Sequence, residues 1–492
     1  MRAEDDTVAQ NIMKYVFMKN ERRHIISCFV ALISMLAMAS CVSDDMPADD
    51  GDENDQALFV LHVSTLSTDP MVLNDEGVVE KIKSLRVIAI SKGGKDGGED
   101  VIEINRLVKF DNEPSVSDFG EYAFTWRTNP GEKEFYIFAN EEEVGTNNNI
   151  DFEGEVPNGV ASLPSLTALL DYYKATPDSK KFELNSGSAA SATTDHNTEA
   201  GDGKSSAADF KKVIKALRFE PKYDIVETAS AGTAGEEGGS ANTLRRGEIF
   251  LPYSTCYENV NVAGGTTTNK AMFLVPVATK FYYKFINYRG SDVAIKKIEV
   301  NSIDSENFLL GHVSGDDVTK SFKSDDTSEP ESLYWVDWLA KVAEATQKNN
   351  SLDNGEINDR FGWISNYSLP VTSSRNAVTM FGQADGTVKV DGKKTVASED
   401  IPGELVFGPY YYPESGPTTI GNFTGYFLTL GLLDTGKNDS PEFENVQIGN
   451  IKALFRDTHV VIYVRMSEGT VDIYAEMKPW AVSPNYGKVE EL

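Results

Sequence analysis

The chain has 492 residues, with 46 basic and 76 acidic side chains and a formal charge of −30. A chain that negative repels phosphate backbones, which excludes nucleic acid as a partner. Only three cysteines are present, Cys28, Cys41 and Cys256, so no disulfide framework supports the fold and stability must come from apolar burial.

Arg22 and Arg23 precede an apolar run from Ile25 to Ala39, which leads into Met38-Ala39-Ser40-Cys41. A basic head, an apolar stretch of about 7–15 residues and small residues at the cut are the parts of a secretory signal. The run falls short of the about 20 apolar residues of a membrane span. Its end at cysteine resembles a bacterial lipobox. That likeness implies that residues 1–40 are a lipoprotein signal peptide and that acylated Cys41 becomes the first mature residue. Met1–Phe17 carries Glu4, Asp5 and Asp6 and adds nothing to such a signal, so Met18 is an alternative start. Val42-Ser43-Asp44-Asp45 resembles the acidic signal that sends Bacteroidetes lipoproteins to the outer face of the cell. Cys256 is then the one cysteine left, and it reads as a small buried hydrophobe.

Residues 41–56 are acidic and nearly free of bulky apolar groups, as expected of a solvated tether. The run Asp49-Asp50-Gly51-Asp52-Glu53-Asn54-Asp55 lacks the glutamate that closes a twelve-residue calcium loop.

From Ala57 the apolar residues alternate. Ala57–Leu66 places Phe59, Leu61 and Val63 on one face. Ile82–Ile90, Val101–Ile104, Tyr122–Trp126 and Glu134–Ala139 follow as strands bounded by turn residues, which argues an antiparallel sandwich. Helical spacing appears at Leu163–Ala175 and Ala208–Leu217. The Gly/Ser/Ala/Thr stretches between them and at Glu227–Asn242 read as surface loops. A second strand-rich block begins near Ala271 with Met272–Val277 and Lys280–Ile286, and continues through Val293–Val300 and Phe308–Leu310. Leu333–Ala345 has helical spacing. Val396–Pro413, Tyr426–Leu433, His459–Arg465 and Thr470–Met477 read as closing strands.

Motifs for chemistry fail one by one. Gly203-Lys204-Ser205 has Thr198 where a phosphate loop needs glycine. No Gly-x-Ser-x-Gly elbow occurs. The five histidines, His24, His62, His196, His312 and His459, lie far apart with no partner at zinc spacing. The sequence therefore marks no catalytic residue, no cofactor and no metal ligand.

Several segments carry a family likeness. Ile82–Ile90 resembles the first core strand of the fimbrillins, the FimA/Mfa-like major fimbrial subunits of type V pili in Bacteroidia. Glu134-Phe135-Tyr136-Ile137-Phe138-Ala139-Asn140 resembles the strand that follows it. Phe250–Ser254 and Thr279–Asn287 are similar to the segments that close the first domain and open the second. Phe407–Ser415, Arg456–His459 and Lys478-Pro479-Trp480 resemble later segments in the same order.

The resemblance implies a mostly β fold: two tandem transthyretin-like antiparallel β-sandwich domains with a few short helices, over residues 57–264 and 265–492. It implies no enzymatic activity and assembly into a surface fimbria by strand exchange. A protease removes the first strand and a strand from the next subunit fills the slot. Main-chain hydrogen bonds then supply affinity and alternate side chains fill pockets. The removable strand would be residues 57–66, with Phe59, Leu61 and Val63. The donor would be residues 470–480, with Val471, Ile473, Ala475 and Met477. Each could equally be a permanent strand of its own domain.

The family's cut normally follows an arginine, and Ser67–Glu80 contains no Arg or Lys, so the nearest candidate processing residues are Lys81, Lys83 and Arg86. Expected partners are other copies of itself or related fimbrial subunits, the outer membrane through the lipid before maturation, and host or bacterial surface ligands. Two alternatives remain open: an anchored basal or tip subunit that keeps its first strand, and a monomeric glycan-binding surface lipoprotein. The latter would use an aromatic platform from Trp335, Trp338, Trp363 and Tyr410–Tyr412.

Overall fold

A computed structural model of the protein describes residues 56–310 and 376–479. Stretches at 66–77, 94–97, 120, 146–149, 153, 176–182, 187–191, 198–205, 224, 226–246, 383–387, 417, 421, 435–440, 449–453 and 455 are not described. The amino-terminal half carries β1 (Ala57–Thr65), β2 (Val78–Glu80), β3 (Ser84–Ser91), β4 (Val101–Phe110), β5 (Glu121–Thr128) and β6 (Gly131–Ala139). It continues with β7 (Ile150–Phe152), α1 (Leu166–Tyr172), β8 (Glu183–Ser186), β9 (Ala192–Asn197), α2 (Ala207–Ala216), β10 (Leu217–Phe219), β11 (Gly247–Ile249), β12 (Tyr253–Val262) and β13 (Thr267–Pro276).

The large strands run in the order β8-β5-β1-β13-β12-β6-β3-β4-β9. The β12–β13 link is only two residue pairs long, Tyr253↔Pro276 and Ser254↔Val275. The path folds at that corner into two facing layers, so Phe59 of β1 meets Phe135 of β6 across the core. The fold is mostly β and sandwich-like, as the alternation predicts.

The alternation of β3 serves two cores. Leu85, Val87 and Ala89 face the sandwich interior, while Ile88 and Ile90 face α1 and α2 on the outer side. Both helices start at a serine whose side chain accepts a backbone N–H three residues on: Ser165 from Ala168 and Ser206 from Asp209. Phe210, Val213 and Ile214 of α2 are buried at helical spacing.

The carboxy-terminal half carries β14 (Thr279–Asn287), β15 (Val293–Ile303), β16 (Asn307–Phe308), β17 (Asn376–Gly382), β18 (Lys389–Val390), β19 (Lys394–Val396) and β20 (Glu399–Ile401). Then come β21 (Gly403–Tyr412), β22 (Thr418–Ile420), β23 (Phe423–Asp434), β24 (Glu442–Ile448), β25 (Thr458–Ser467) and β26 (Thr470–Pro479). One sheet runs β21-β14-β25-β26. The other runs β17-β15-β23-β22, with β18 on β15 and β24 on β23. Phe281, Phe285, Ile298, Leu430 and Ile462 lie in the core between them.

The structure corrects five sequence expectations. The stretch between the two helices, read as surface loop, holds β8 on β5 and β9 on β4, because an edge strand is held by its backbone ladder and needs few apolar side chains. The sheets are mixed rather than purely antiparallel, because β1 runs parallel to β13, β2 to β11 and β14 to β25. Strand β13, expected to open the second half, is bonded to β1 and β12, which places the change of sheet after Pro276. Val396–Pro413 is not one strand but the end of a hairpin followed by β21. Tyr410, Tyr411 and Tyr412 are 9%, 5% and 6% exposed, so they are core residues and not a platform. The helix expected at Leu333–Ala345, together with Trp335, Trp338 and Trp363, lies outside the described residues, as do Cys41 and the acidic tether.

The described residues form one compact unit, and buried polar groups join its halves. The Lys280 ammonium lies 3.0 Å from Glu80. The Tyr411 hydroxyl donates to Glu80 at 2.9 Å, and its ring joins the amino-terminal core. Arg456, 1% exposed, donates to Glu414 at 2.6 Å and to the carbonyls of Phe308 and Leu309 at 2.7 and 3.0 Å. Phe308 sits on β16, which pairs with β10 of the amino-terminal half.

Candidate functional site

Strand β1 occupies a slot between two neighbours. It pairs antiparallel with β5 and parallel with β13 along nearly its whole length. Its residues alternate strictly between buried and half-buried. Ala57, Phe59, Leu61 and Val63 are all 0% exposed. The Phe59 ring lies 4.8 Å from Trp126 and 5.0 Å from Phe135, the latter at an interplanar angle of 18°. Leu61 stands opposite Phe124, and Val63 opposite Tyr122. Full burial of each large side chain contributes about 1.5–3 kcal/mol. The three residues expected on one face of the first strand are thus the contents of an aromatic-lined slot. Trp126 and Phe135 form its floor. The sequence placed both in strands without linking them to β1, because they come from different strands of opposite layers.

The candidate processing residues lie downstream and are engaged. Lys81 donates its backbone N–H to the Ile249 carbonyl at 2.9 Å and pairs its ammonium with Glu248 at 2.6 Å. Lys83 donates its N–H to Asn140 Oδ1 at 2.8 Å, bonds Glu143 and lies 4.8 Å from the Phe250 ring centroid. Arg86 sits mid-strand in β3, which is paired on both edges, and its side chain is wholly buried. Its guanidinium donates to Glu141 at 2.6 and 2.7 Å, to Asn105 at 2.8 Å and to Asp171 at 2.8 Å. A protease needs a free strand edge and a protruding basic side chain, and it finds neither at Arg86.

Among the described residues the candidate donor β26 is an edge strand. It pairs with β25 through ten residue pairs, from Thr458↔Pro479 to Ser467↔Thr470. Val471 and Ile473 pack half-buried against the core and Ala475 is 4% exposed. Met477 lies in register with Val460. On the outer face Tyr474 stacks on Tyr463, with ring centroids 4.7 Å apart at 3°. Arg465 lies 4.9 Å from the Tyr474 ring centroid. Strands β1 and β26 belong to different sheets, so this fold does not bring the slot and the candidate donor together.

The remaining singled-out groups have structural settings. His62 is half-buried on β1. His459 is fully buried, its ring 4.7 Å from that of Tyr282. Cys256 is buried in β12, and burial pushes its thiol well above the ordinary range, with Glu258 adding to the shift, which leaves it a poor nucleophile.

No family model matches the chain, and no curated protein matches it. Solved structures with a similar course of chain include the tip fimbrial protein Mfa3 from Porphyromonas gingivalis. It has 9% identity and a TM-score of 0.33, over 86% of this chain and 100% of that one. A candidate cell adhesion protein from Parabacteroides distasonis has 8% identity and a TM-score of 0.38, over 87% and 98%. A fimbrial assembly protein from the same organism has 9% identity and a TM-score of 0.29, over 85% and 94%. Likeness at that level assigns no function.

Proposed function

We propose that the protein is a non-enzymatic structural subunit of a cell-surface fimbria that joins its neighbours by strand exchange at the β1 position and supports adhesion. The observation that carries this reading is the β1 slot. The first strand among the described residues, bonded on both edges, fills an aromatic-lined core groove with Phe59, Leu61 and Val63. A strand of another copy, or of a related subunit, could complete the same ladder in its place. In this reading Cys41 carries the lipid that brings the chain to the outer membrane, and β26 is the donor.

The settings of Lys81, Lys83 and Arg86 favour a second reading within the same class. A cut after any of the three requires local unfolding, and 66–77 contains no basic residue. A chain that keeps β1 keeps its lipid and serves as an anchored basal or tip subunit. The burial of Tyr410–Tyr412 removes part of the support for a monomeric glycan binder.

The test is the amino terminus of the protein recovered from the cell surface, read by mass spectrometry. A start within 67–87, the last being the residue after Arg86, supports the polymerising subunit. Acylated Cys41 supports the anchored one. A start elsewhere, with no copy linked to another, sinks both.

A further inference from the structure

Strand β13 is where the chain leaves the amino-terminal half. It ends at Pro276, and Val277 and Ala278 lead directly into β14. Its short link to β12 sits at that same end, at Tyr253↔Pro276 and Ser254↔Val275. Strand β1 runs parallel to β13 in a register that begins at Leu58↔Thr267 and closes at Thr65↔Leu274. The start of β1 therefore lies at the end of the ladder remote from the junction, where Leu58 N–H donates to the Thr266 carbonyl at 3.0 Å. Tension applied at Ala57 and held by the carboxy-terminal half enters this ladder at one end and leaves it at the other. Such a pull acts along both strands and loads all their cross-strand bonds together. A ladder pulled apart at one end opens bond by bond. Forced unfolding follows the height of the unfolding barrier, so the same bonds resist more in the first geometry.

The buried face of β1 adds a stop. A slip of one residue would turn Phe59, Leu61 and Val63 outward, so the smallest slip that keeps them buried is two residues. In the direction of pull, that slip carries Phe59 into the place of Ala57, Leu61 into that of Phe59 and Val63 into that of Leu61. The Ala57 site is fully buried and shaped to one methyl group. A phenyl ring overfills it, while the other two sites are left underfilled. The large residue stands behind the small one along the line of pull.

A second hold lies behind the first. Asn140 is buried and left-handed at φ 53°. Its amide donates to the carbonyls of Lys81 and Leu251 at 2.8 and 2.7 Å, and its Oδ1 accepts from Lys83 N–H at 2.8 Å. Ile82 N–H donates to the Pro114 carbonyl at 3.0 Å. With Glu80 on Lys280, residues 80–83 are fastened to the end of β6, to the segment after β4 and to the carboxy-terminal half. A pull that frees β1 meets these contacts next.

We propose that the parallel β1–β13 ladder is a load-bearing clamp. The retained first strand carries tension between the membrane tether and the body, loaded in shear, with residues 80–83 as the second stop. The proposal rests on the anchored reading above and adds its mechanical role. Strand direction decides it: with β1 antiparallel to β13, the load would enter and leave at one end, and the ladder would open as a zipper.

The test is single-molecule pulling on the full chain. One handle is attached at Gln56. The other is at Tyr288, which is 40% exposed and follows β14, or at Pro130, an exposed residue between β5 and β6. Thr128, two residues before Pro130, is in register with Ala57, so the Gln56/Pro130 pair pulls across one end of the β1–β5 ladder. At one loading rate, the Gln56/Tyr288 pair is expected to yield at no less than twice the force of the Gln56/Pro130 pair. Its first extension should not exceed the chain from 57 to 77, roughly 70 Å at about 3.4 Å per residue. Equal forces overturn the clamp and leave the anchored reading standing. A first extension longer than that chain does the same, because another part of the body has then given way before β1. A surface form that begins within 67–87 overturns the anchored reading and, with it, the clamp.

Discussion

The Lys280 ammonium lies 3.0 Å from the Glu80 carboxylate, and the two residues belong to different halves of the protein. Glu80 closes β2, which pairs with β11, and Lys280 is the second residue of β14, so this pair links the β2–β11 ladder with the carboxy-terminal sheet. Asp457 is 0% exposed nearby, donates its backbone N–H to the Ala278 carbonyl at 2.9 Å, and has no hydrogen-bond partner on either carboxylate oxygen among the described residues. Burial first, and then Glu80, holds its acid well above the usual carboxylate range.

That raised value has a defined sign. The folded state holds the Asp457 proton more tightly than the unfolded chain. The stabilisation is fully present below the unfolded value of about 3.9 and declines as pH rises toward the folded value. Asp457→Asn, which also tolerates the left-handed φ of 57°, is expected to raise stability at neutral pH by about 1–3 kcal/mol. It should also flatten this part of the pH dependence. Urea melts at pH 5 and pH 8 check it, and an unchanged pH slope would refute it.

Phe59→Ala should be costly wherever β1 stays in place. Its ring is fully buried between Trp126 and Phe135, and truncation of such a side chain costs about 3–5 kcal/mol. The same loss should appear in trans. In a chain lacking residues 41–66, a peptide spanning 56–66 is expected to bind, and its Phe59→Ala form to bind at least a hundredfold more weakly. Calorimetric titration reads both.

Folded protein should resist trypsin at Arg86. Limited digestion followed by mass spectrometry is expected to leave the bond after Arg86 intact under conditions that cut exposed sites. Arg86→Gln should lose about 3–5 kcal/mol, because it leaves the buried Glu141 carboxylate uncompensated. Cleavage after Arg86 in the native state would contradict the burial.

Arg456 and Glu414 are each 1% exposed and joined at 2.6 Å. Arg456→Met strands the carboxylate and frees the Phe308 and Leu309 carbonyls that tie β16 to the junction. A loss of about 3–5 kcal/mol is expected, with the two halves melting at separate temperatures where the parent protein melts once. Scanning calorimetry decides it.

Local periodicity was enough for much of the architecture. The alternation in Ala57–Leu66 and Thr470–Met477 marks strands, and the structure has them at Ala57–Thr65 and Thr470–Pro479. The spacing of Phe210, Val213 and Ile214 marks a helix for the same reason, since a side chain's periodicity records which of its faces meets a core. The slot was half legible. Phe59, Leu61 and Val63 could be read as an apolar face, but Trp126 and Phe135 could not be read as its floor.

The sequence by itself determined many of the long strands, among them Ala57–Thr65 and Thr470–Pro479, and which of their faces are apolar, but not β12 at Tyr253–Val262. It also determined that a chain of −30 with three cysteines is held by burial without a disulfide framework. Only the tertiary structure decided that β1 runs parallel to β13, some two hundred residues away, that Arg86 is sealed against Glu141, and that Glu80 meets Lys280. A ladder of backbone N–H and C=O groups is the same for every strand, so alternation shows which way a side chain faces and not which strand lies beside it. Charged residues follow the same logic. An arginine reads as exposed until folding places a carboxylate within hydrogen-bond reach and the pair can be buried together.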